Sequence, residues 1–294
     1  MPSAPLLDRE FLEKLERLTI HWHKSFAGLV GGHNISHFAG SGQEFLDHRN
    51  FHHGDDLRAV NWRAYLRLEK LFLKMFQVEP RVPVRMLVDS SASMTAYGGQ
   101  KFDYALKLAA ALCYVGLVRL DHIEIRGFCQ RLAQRIVSSG GRHRYAGVAD
   151  GLMAIEPGGQ TDYLAVIREF ISLYPQRGLV IIISDFLDDN GCERALQYLS
   201  DFGHELMLIQ LWAGEDRTPP WTGELDLRDA ETGAGLKLDF DDLARERYTQ
   251  AFDEYCDTIQ TMALRSGGRY AGVSTESSLE SIIFGELIRV KGIA

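Results

Sequence analysis

Asp89, Ser91 and Ser93 place one carboxylate and two hydroxyls at alternate positions in the stretch Val84-Arg-Met-Leu-Val-Asp89-Ser-Ser91-Ala-Ser93-Met94. A compact turn can gather such a triplet on one side. Hard oxygens without a thiol or imidazole suit a hard cation such as Mg²⁺. The triplet alone is equally compatible with an Asx-type turn that caps a following helix. Two later stretches carry matching chemistry. Gly158-Gly159-Gln160-Thr161-Asp162 is a loop ahead of an apolar helical run, and Val180-Ile-Ile-Ile-Ser184-Asp185 is an apolar run that again ends in a carboxylate.

These groups need a scaffold that presents loops at one edge. Val84 to Val88 is apolar apart from Arg85, which suits a central strand covered on both faces. In an open α/β sheet, ligands bind at the carboxyl ends of such strands. Beyond it the pattern alternates. Helices are predicted over 102–120, 145–155, 163–174 and 192–202, and strands over 179–183 and 206–212, with a strand pair at 123–128 and 133–138. This alternation predicts an α/β fold, a doubly wound, mostly parallel sheet with helices on both faces. Between residues 223 and 240 the period changes to two. Leu225, Leu227, Leu236, Leu238 and Phe240 alternate with polar residues around Thr232-Gly-Ala-Gly235, which predicts an inserted β-hairpin. A long helix over 243–265, a strand over 270–273 and a helix over 279–290 close the domain, taken as residues 81–294.

Residues 1–80 are expected to form an N-terminal extension. Leu7, Phe11, Leu15, Leu18 and Trp22 recur at helical spacing and predict a helix over 5–24. A strand is predicted over 71–78. Seven of the ten histidines fall between His21 and His53, but their spacing does not bring them face to face as metal ligands. Asp55, Asp56, Arg58 and Trp62 lie in a charge-dense stretch that suits either an ion-pair knot with a buried Trp62 or a partner-binding surface.

The order of parts resembles the von Willebrand factor type A fold with its metal-ion-dependent adhesion site. The resemblance implies that Asp89, Ser91 and Ser93 form the first metal loop, Thr161 the second and Asp185 the third, with Asp185 bound directly or through a neighbour. The implied ion is Mg²⁺, or Mn²⁺ or Ca²⁺. Upstream, Ser41-Gly-Gln-Glu-Phe45 and Arg49-Asn-Phe-His-His-Gly54-Asp55-Asp56-Leu57-Arg58-Ala-Val-Asn61-Trp62-Arg63 look like the signature of the bacterial family catalogued as domain of unknown function 58. The similarity runs from about Gly40 to beyond Thr275. Two departures show: His53 stands where the family pattern has proline, and Asn61 where it has aspartate. The resemblance further implies work beside a MoxR-type AAA+ ATPase, in chaperone-like assembly or activation of a client protein that offers a carboxylate.

Composition narrows the alternatives. The 294 residues are 46% hydrophobic and 24% charged, enough for a substantial core. A net charge of −8 argues against a nucleic-acid surface. Four scattered cysteines without a Cys-x-x-Cys pair point to neither zinc nor a disulfide framework and fit a reducing cytoplasm. The apolar run from Leu108 to Val118 is too short to span a bilayer, and no signal peptide is expected. No phosphate-binding Gly-x-x-x-x-Gly-Lys loop or Gly-x-Ser-x-Gly elbow is present. The enzymatic alternative is a Mg²⁺-dependent phosphate hydrolase, since the same strand-end carboxylate serves phosphoryl chemistry. Against it, Ser91 stands where such an enzyme would carry its second carboxylate. The expectation is therefore a binding protein without catalysis.

Overall fold

The computed structural model describes residues 5–21, 45–52, 60–76, 82–187 and 191–294. The chain divides into two compact units, one of residues 1–24 with 82–294 and one of residues 25–81. In the larger unit the N-terminal helix α1 (Arg9–Leu15) starts at Asp8, whose side chain accepts from Phe11 N. Phe11 and Leu15 are buried on its inner face. The helix is shorter than its apolar spacing predicts. After it the backbone pairs with the far end of the chain: Ile20 bridges Ile293, and His21 N donates to Gly292 O at 2.9 Å. The expected single piece over 1–80 is therefore corrected. Leu7, Phe11, Leu15, Leu18 and Ile20 are buried, and Phe11 meets Phe284 edge to face at 6.4 Å.

The smaller unit pairs β1 (Phe45–Asn50) antiparallel with β2 (Phe72–Phe76) and carries the helix α2 (Trp62–Leu68). Asn61 caps α2 by accepting from Ala64 N at 3.3 Å. Asparagine caps as well as aspartate does, so this departure from the family pattern keeps the local function. The expectation that Trp62 is substantially buried is also corrected. Trp62 is 54% exposed and meets Tyr65 edge to face at 6.1 Å, on a helix with no buried residue. Asp55, Asp56 and Arg58 lie outside the described residues.

The larger unit is built on β3 (Val84–Asp89), β4 (Ile123–Phe128), β5 (Ile136–Ser138), β6 (Leu179–Ser184), β7 (Glu205–Trp212) and β10 (Arg269–Ser274). They form one sheet in the order β10-β7-β6-β3-β4-β5, parallel throughout except for β5, which runs antiparallel to β4. Every residue of β3 and β6 is buried, as their unbroken apolar runs require. The one charge inside β3, Arg85, donates to Gln176 O at 2.9 Å and lies over the Tyr174 ring at 4.8 Å.

Helices cover both faces. α3 (Ala96–Val118) buries a run from Phe102 to Leu117. Before that run Tyr97, Gly98 and Gly99 take left-handed backbone angles, which turns the chain out of the first loop. A second layer is packed from α5 (Tyr163–Leu173), α6 (Cys192–Asp201) and α8 (Asp242–Arg265), with Tyr163, Ile167, Phe170, Leu196 and Ile259 in one core with Leu87 and Ile182 of the sheet. α4 (Tyr145–Met153), the short α7 (Gly214–Arg217) and a helical stretch over 279–289, interrupted by a π turn at Ile282–Glu286, complete the helices among the described residues.

The hairpin forms where the alternation predicts it. β8 (Gly223–Arg228) pairs with β9 (Gly235–Phe240), from Gly223↔Phe240 to Arg228↔Gly235. Both strands are largely exposed, but Phe240 at the base is buried and meets Tyr248 of α8 at 6.4 Å. Among the described residues, no helix is long and apolar enough to cross a membrane.

Candidate cation-binding site

β3 has β4 on one side and β6, β7 and β10 on the other, so the chain order reverses across it. Asp89 ends β3 at that switch point, where α/β sheets bind ligands. Ser91 N donates to Asp89 Oδ1 at 2.9 Å and closes the turn. The Ser91 and Ser93 hydroxyl oxygens then lie 2.9 Å apart, so the three donors expected from the sequence are gathered. Ser90, between them, points the other way and donates to Phe128 O at 2.9 Å.

The second loop is stitched to the first by the backbone. Ala92 N donates to Gly159 O at 2.9 Å, and Gly158 N to Ser90 O at 2.6 Å. Gly158 and Gly159 have φ of 145° and 88°, angles that favour glycine. Thr161 follows directly, and Asp162 caps α5 by accepting from Ala165 N at 2.9 Å. Thr161 is itself engaged. Its amide donates to Glu231 Oε2 at 2.9 Å and its hydroxyl to Glu231 Oε1 at 3.2 Å.

Asp89 Oδ2 is held from below. Ser184 Oγ donates to it at 2.6 Å, Tyr163 OH lies 2.6 Å from Ser184 Oγ, and Phe186 N donates to Ser184 Oγ at 2.8 Å. The buried carboxylate is thereby fixed in orientation. Burial above all, then the nearby Asp185 carboxylate, pushes Asp89 up to about 7, against the lowering effect of the Ser184 and Ser91 hydrogen bonds. Among the described residues no Lys or Arg pairs with Asp89. A buried charge without a counter-charge is costly, and a bound cation would reverse that balance.

Asp185 has such a partner. Lys101 Nζ lies 2.8 Å from Asp185 Oδ2 and 3.1 Å from Asp216 Oδ2, and its side chain is 1% exposed. Asp216 Oδ2 also accepts from Ala213 N at 2.9 Å, and Asp185 Oδ1 from Leu187 N at 3.3 Å. Burial works against the Lys101 ammonium, but the two carboxylates outweigh it and its pKa is raised. Asp185 is thus a carboxylate beside Asp89 with one oxygen already bound to an internal ammonium. That pairing supports a place behind the first ring of ligands.

The donor set fits a hard divalent cation. Asp89, Ser91, Ser93 and Thr161 offer oxygen only, with one carboxylate and three hydroxyls. Among the described residues, no group of three or more His, Cys, Asp and Glu is placed to hold a metal, so any ion here depends on the hydroxyls. Few charged ligands mean modest affinity with retained waters. Sequence reasoning missed Lys101, Asp216, Ser184, Tyr163 and Glu231. Lys101 had a local signal, a lysine beside the apolar run of α3, and Ser184 stands next to Asp185. Asp216 and Glu231 had none.

A profile of the family described as "Protein of unknown function DUF58" matches residues 47–256. The protein named "Uncharacterized protein Rv1480" from Mycobacterium tuberculosis is 26% identical over 253 residues, covering 83% of this chain and 78% of that protein. Among solved structures, the conserved hypothetical protein BatB from Bacteroides thetaiotaomicron is 19% identical with a TM-score of 0.43, covering 71% of this chain and 98% of that one. The von Willebrand factor domain of the type V pili tip protein Mfa5 from Porphyromonas gingivalis is 13% identical with a TM-score of 0.31, covering 67% and 82%.

Proposed function

We propose a protein-binding function for this chain, which belongs to the DUF58 family of proteins of unknown function. The observation that carries it is the turn at the end of β3. Asp89, Ser91 and Ser93 are gathered there and tied by two backbone hydrogen bonds to the loop that carries Thr161. In this reading Asp89, Ser91, Ser93 and Thr161 hold Mg²⁺, or Mn²⁺ or Ca²⁺, while Asp185 stands behind them on Lys101. The bound ion would supply a hard positive centre that a carboxylate on another protein can reach. The chain's own residues orient the donors: Ser184 and Tyr163 fix Asp89, and backbone bonds at Gly158 and Gly159 join the loop ahead of Thr161 to the first.

The reading includes no catalysis. Ser91 occupies the position two residues after Asp89, where a phosphoryl-transfer enzyme would use a second carboxylate. The partner we assign is a MoxR-type AAA+ ATPase, with a carboxylate-bearing client, in chaperone-like assembly or activation; the family resemblance of the Gly54-Asp55-Asp56-Leu57-Arg58 segment supports it. Four free cysteines support a cytoplasmic setting. The test is recovery of the co-expressed ATPase on wild-type and Asp89→Ala protein, each in Mg²⁺ and in chelator. Recovery confined to wild type in Mg²⁺ is expected. Equal recovery in all four samples would reject a metal-bridged adaptor, and no ATPase in any sample would reject the assigned partner.

A further inference from the structure

Among the described residues, Glu231 is a carboxylate that reaches the candidate site from outside the α/β layers. It sits at the tip of the β8–β9 hairpin, 70 residues from Thr161 in sequence, and takes both hydrogen-bond donors of that residue, the amide at 2.9 Å and the hydroxyl at 3.2 Å. The tip is built to present it. Asp229 Oδ1 accepts from Glu231 N at 3.0 Å, from Thr232 N at 2.6 Å and from Thr232 Oγ1 at 2.7 Å. Gly233, at φ 72°, closes the turn by donating its amide to Asp229 O at 3.0 Å.

The hairpin otherwise stands largely in solvent, with its base fixed through Phe240. A two-stranded ribbon is marginal by itself. The contact at the tip therefore does two things: it steadies the ribbon, and it puts a carboxylate on a hydroxyl that the proposed cation would use. The group Glu231 brings is of the same chemical class as the one a partner is expected to bring.

Resting on the function proposed above, we infer that Glu231 is an internal carboxylate ligand of this site. The hairpin holds it, within the same chain, in the place a partner's carboxylate would take. A tethered group of this kind acts at an effective concentration in roughly the millimolar range. A partner must therefore displace it, and the hairpin sets the threshold for entry.

The test uses Mn²⁺ as the ion and acetate as the external carboxylate. Mn²⁺ affinity is measured for wild type, Glu231→Ala, Glu231→Gln and the hairpin control Asp226→Asn, with chloride at matched ionic strength in place of acetate. Circular dichroism verifies the fold of each variant; both substituted positions lie on the hairpin, with Asp226 exposed and Glu231 half-buried. Loss of Glu231 should weaken Mn²⁺ binding by about tenfold, because affinity in oxygen sites follows the number of charged ligands and their supports. Acetate should restore affinity in Glu231→Ala and leave wild type unchanged, because there the place is filled. Asp226→Asn should match wild type. Equal Mn²⁺ affinity in wild type and both Glu231 variants would overturn the inference and leave the cation site standing. So would acetate tightening wild type as much as Glu231→Ala. Wild type that binds no Mn²⁺ would remove the cation site and the inference together.

Discussion

Lys101 holds two buried carboxylates at once, and removing it strands both. Lys101→Met keeps the volume and the apolar stem but leaves Asp185 and Asp216 without their ammonium. Breaking a buried pair by deleting one partner typically costs about 3–5 kcal/mol. Urea unfolding should show a loss of that order, and adding Asp216→Asn should recover part of it; a Lys101→Met protein as stable as wild type would contradict the buried trio. The same trio shows what a sequence can and cannot reveal at this scale. The Asp89-Ser91-Ser93 turn and the loop ahead of Thr161 are legible because each is a short local pattern. Lys101 meets Asp185 across 84 residues and Glu231 meets Thr161 across 70, so no local spacing marks either pair. Ser184 was visible beside Asp185, but its bond to Asp89 exists only because β6 lies next to β3.

Elements fix the site through register, and Gly178 is where the register of β6 is set. A Cβ at Gly178 would come within 2.5 Å of Pro83 O, the carbonyl that accepts from Leu179 N at 3.1 Å. Backbone cannot yield there as a side chain can, so Gly178→Ala should destabilise by about 1–3 kcal/mol, the usual range for overpacking. Chemical denaturation checks this, and no loss would mean that β3 and β6 tolerate separation at their entry. The smaller unit makes the opposite prediction. Trp62 is exposed together with Leu66 and Leu68 on α2. Trp62→Ala should therefore change stability by no more than about 0.5 kcal/mol, as surface substitutions usually do. If α2 contributes to partner recognition, recovery of the partner falls all the same. A stability loss of several kcal/mol would show that Trp62 packs in the folded protein after all. The five parallel strands of the large sheet and the hairpin are legible nearly to their ends, because full burial and alternation are local signals, whereas β1 is not foreseen and β5 is three residues shorter than expected. Helix α1 was not. Its apolar spacing continues through Leu18, but Thr19 to His21 instead pair with the last residues of the chain, a contact no local pattern announces.

At the scale of the whole molecule, the sheet gathers carboxylates at one edge of a chain that already carries a net charge of −8. Asp89 is the group whose balance decides the outcome. Burial raises it from an ordinary 3.8 to about 7. A carboxyl raised in the folded state contributes stability below its unfolded value, and that contribution is lost as pH rises through the folded one. In chelator, wild type should therefore weaken between about pH 4 and pH 7 relative to Asp89→Asn, which cannot ionise there. The variant should be at least as stable as wild type at pH 8, since it keeps the shape and removes a buried charge. Mg²⁺ should reverse the order. An ion that binds only the folded state stabilises by mass action, by about 2.7 kcal/mol at a hundred times its dissociation constant. That increment belongs to wild type, because the variant amide cannot supply the anionic ligand. Thermal melts at pH 8, with Mg²⁺ and with chelator, read both effects. A crossing of the two proteins on adding Mg²⁺ is the expected result. Equal increments in wild type and Asp89→Asn would place any bound Mg²⁺ elsewhere and leave the β3 turn without an ion.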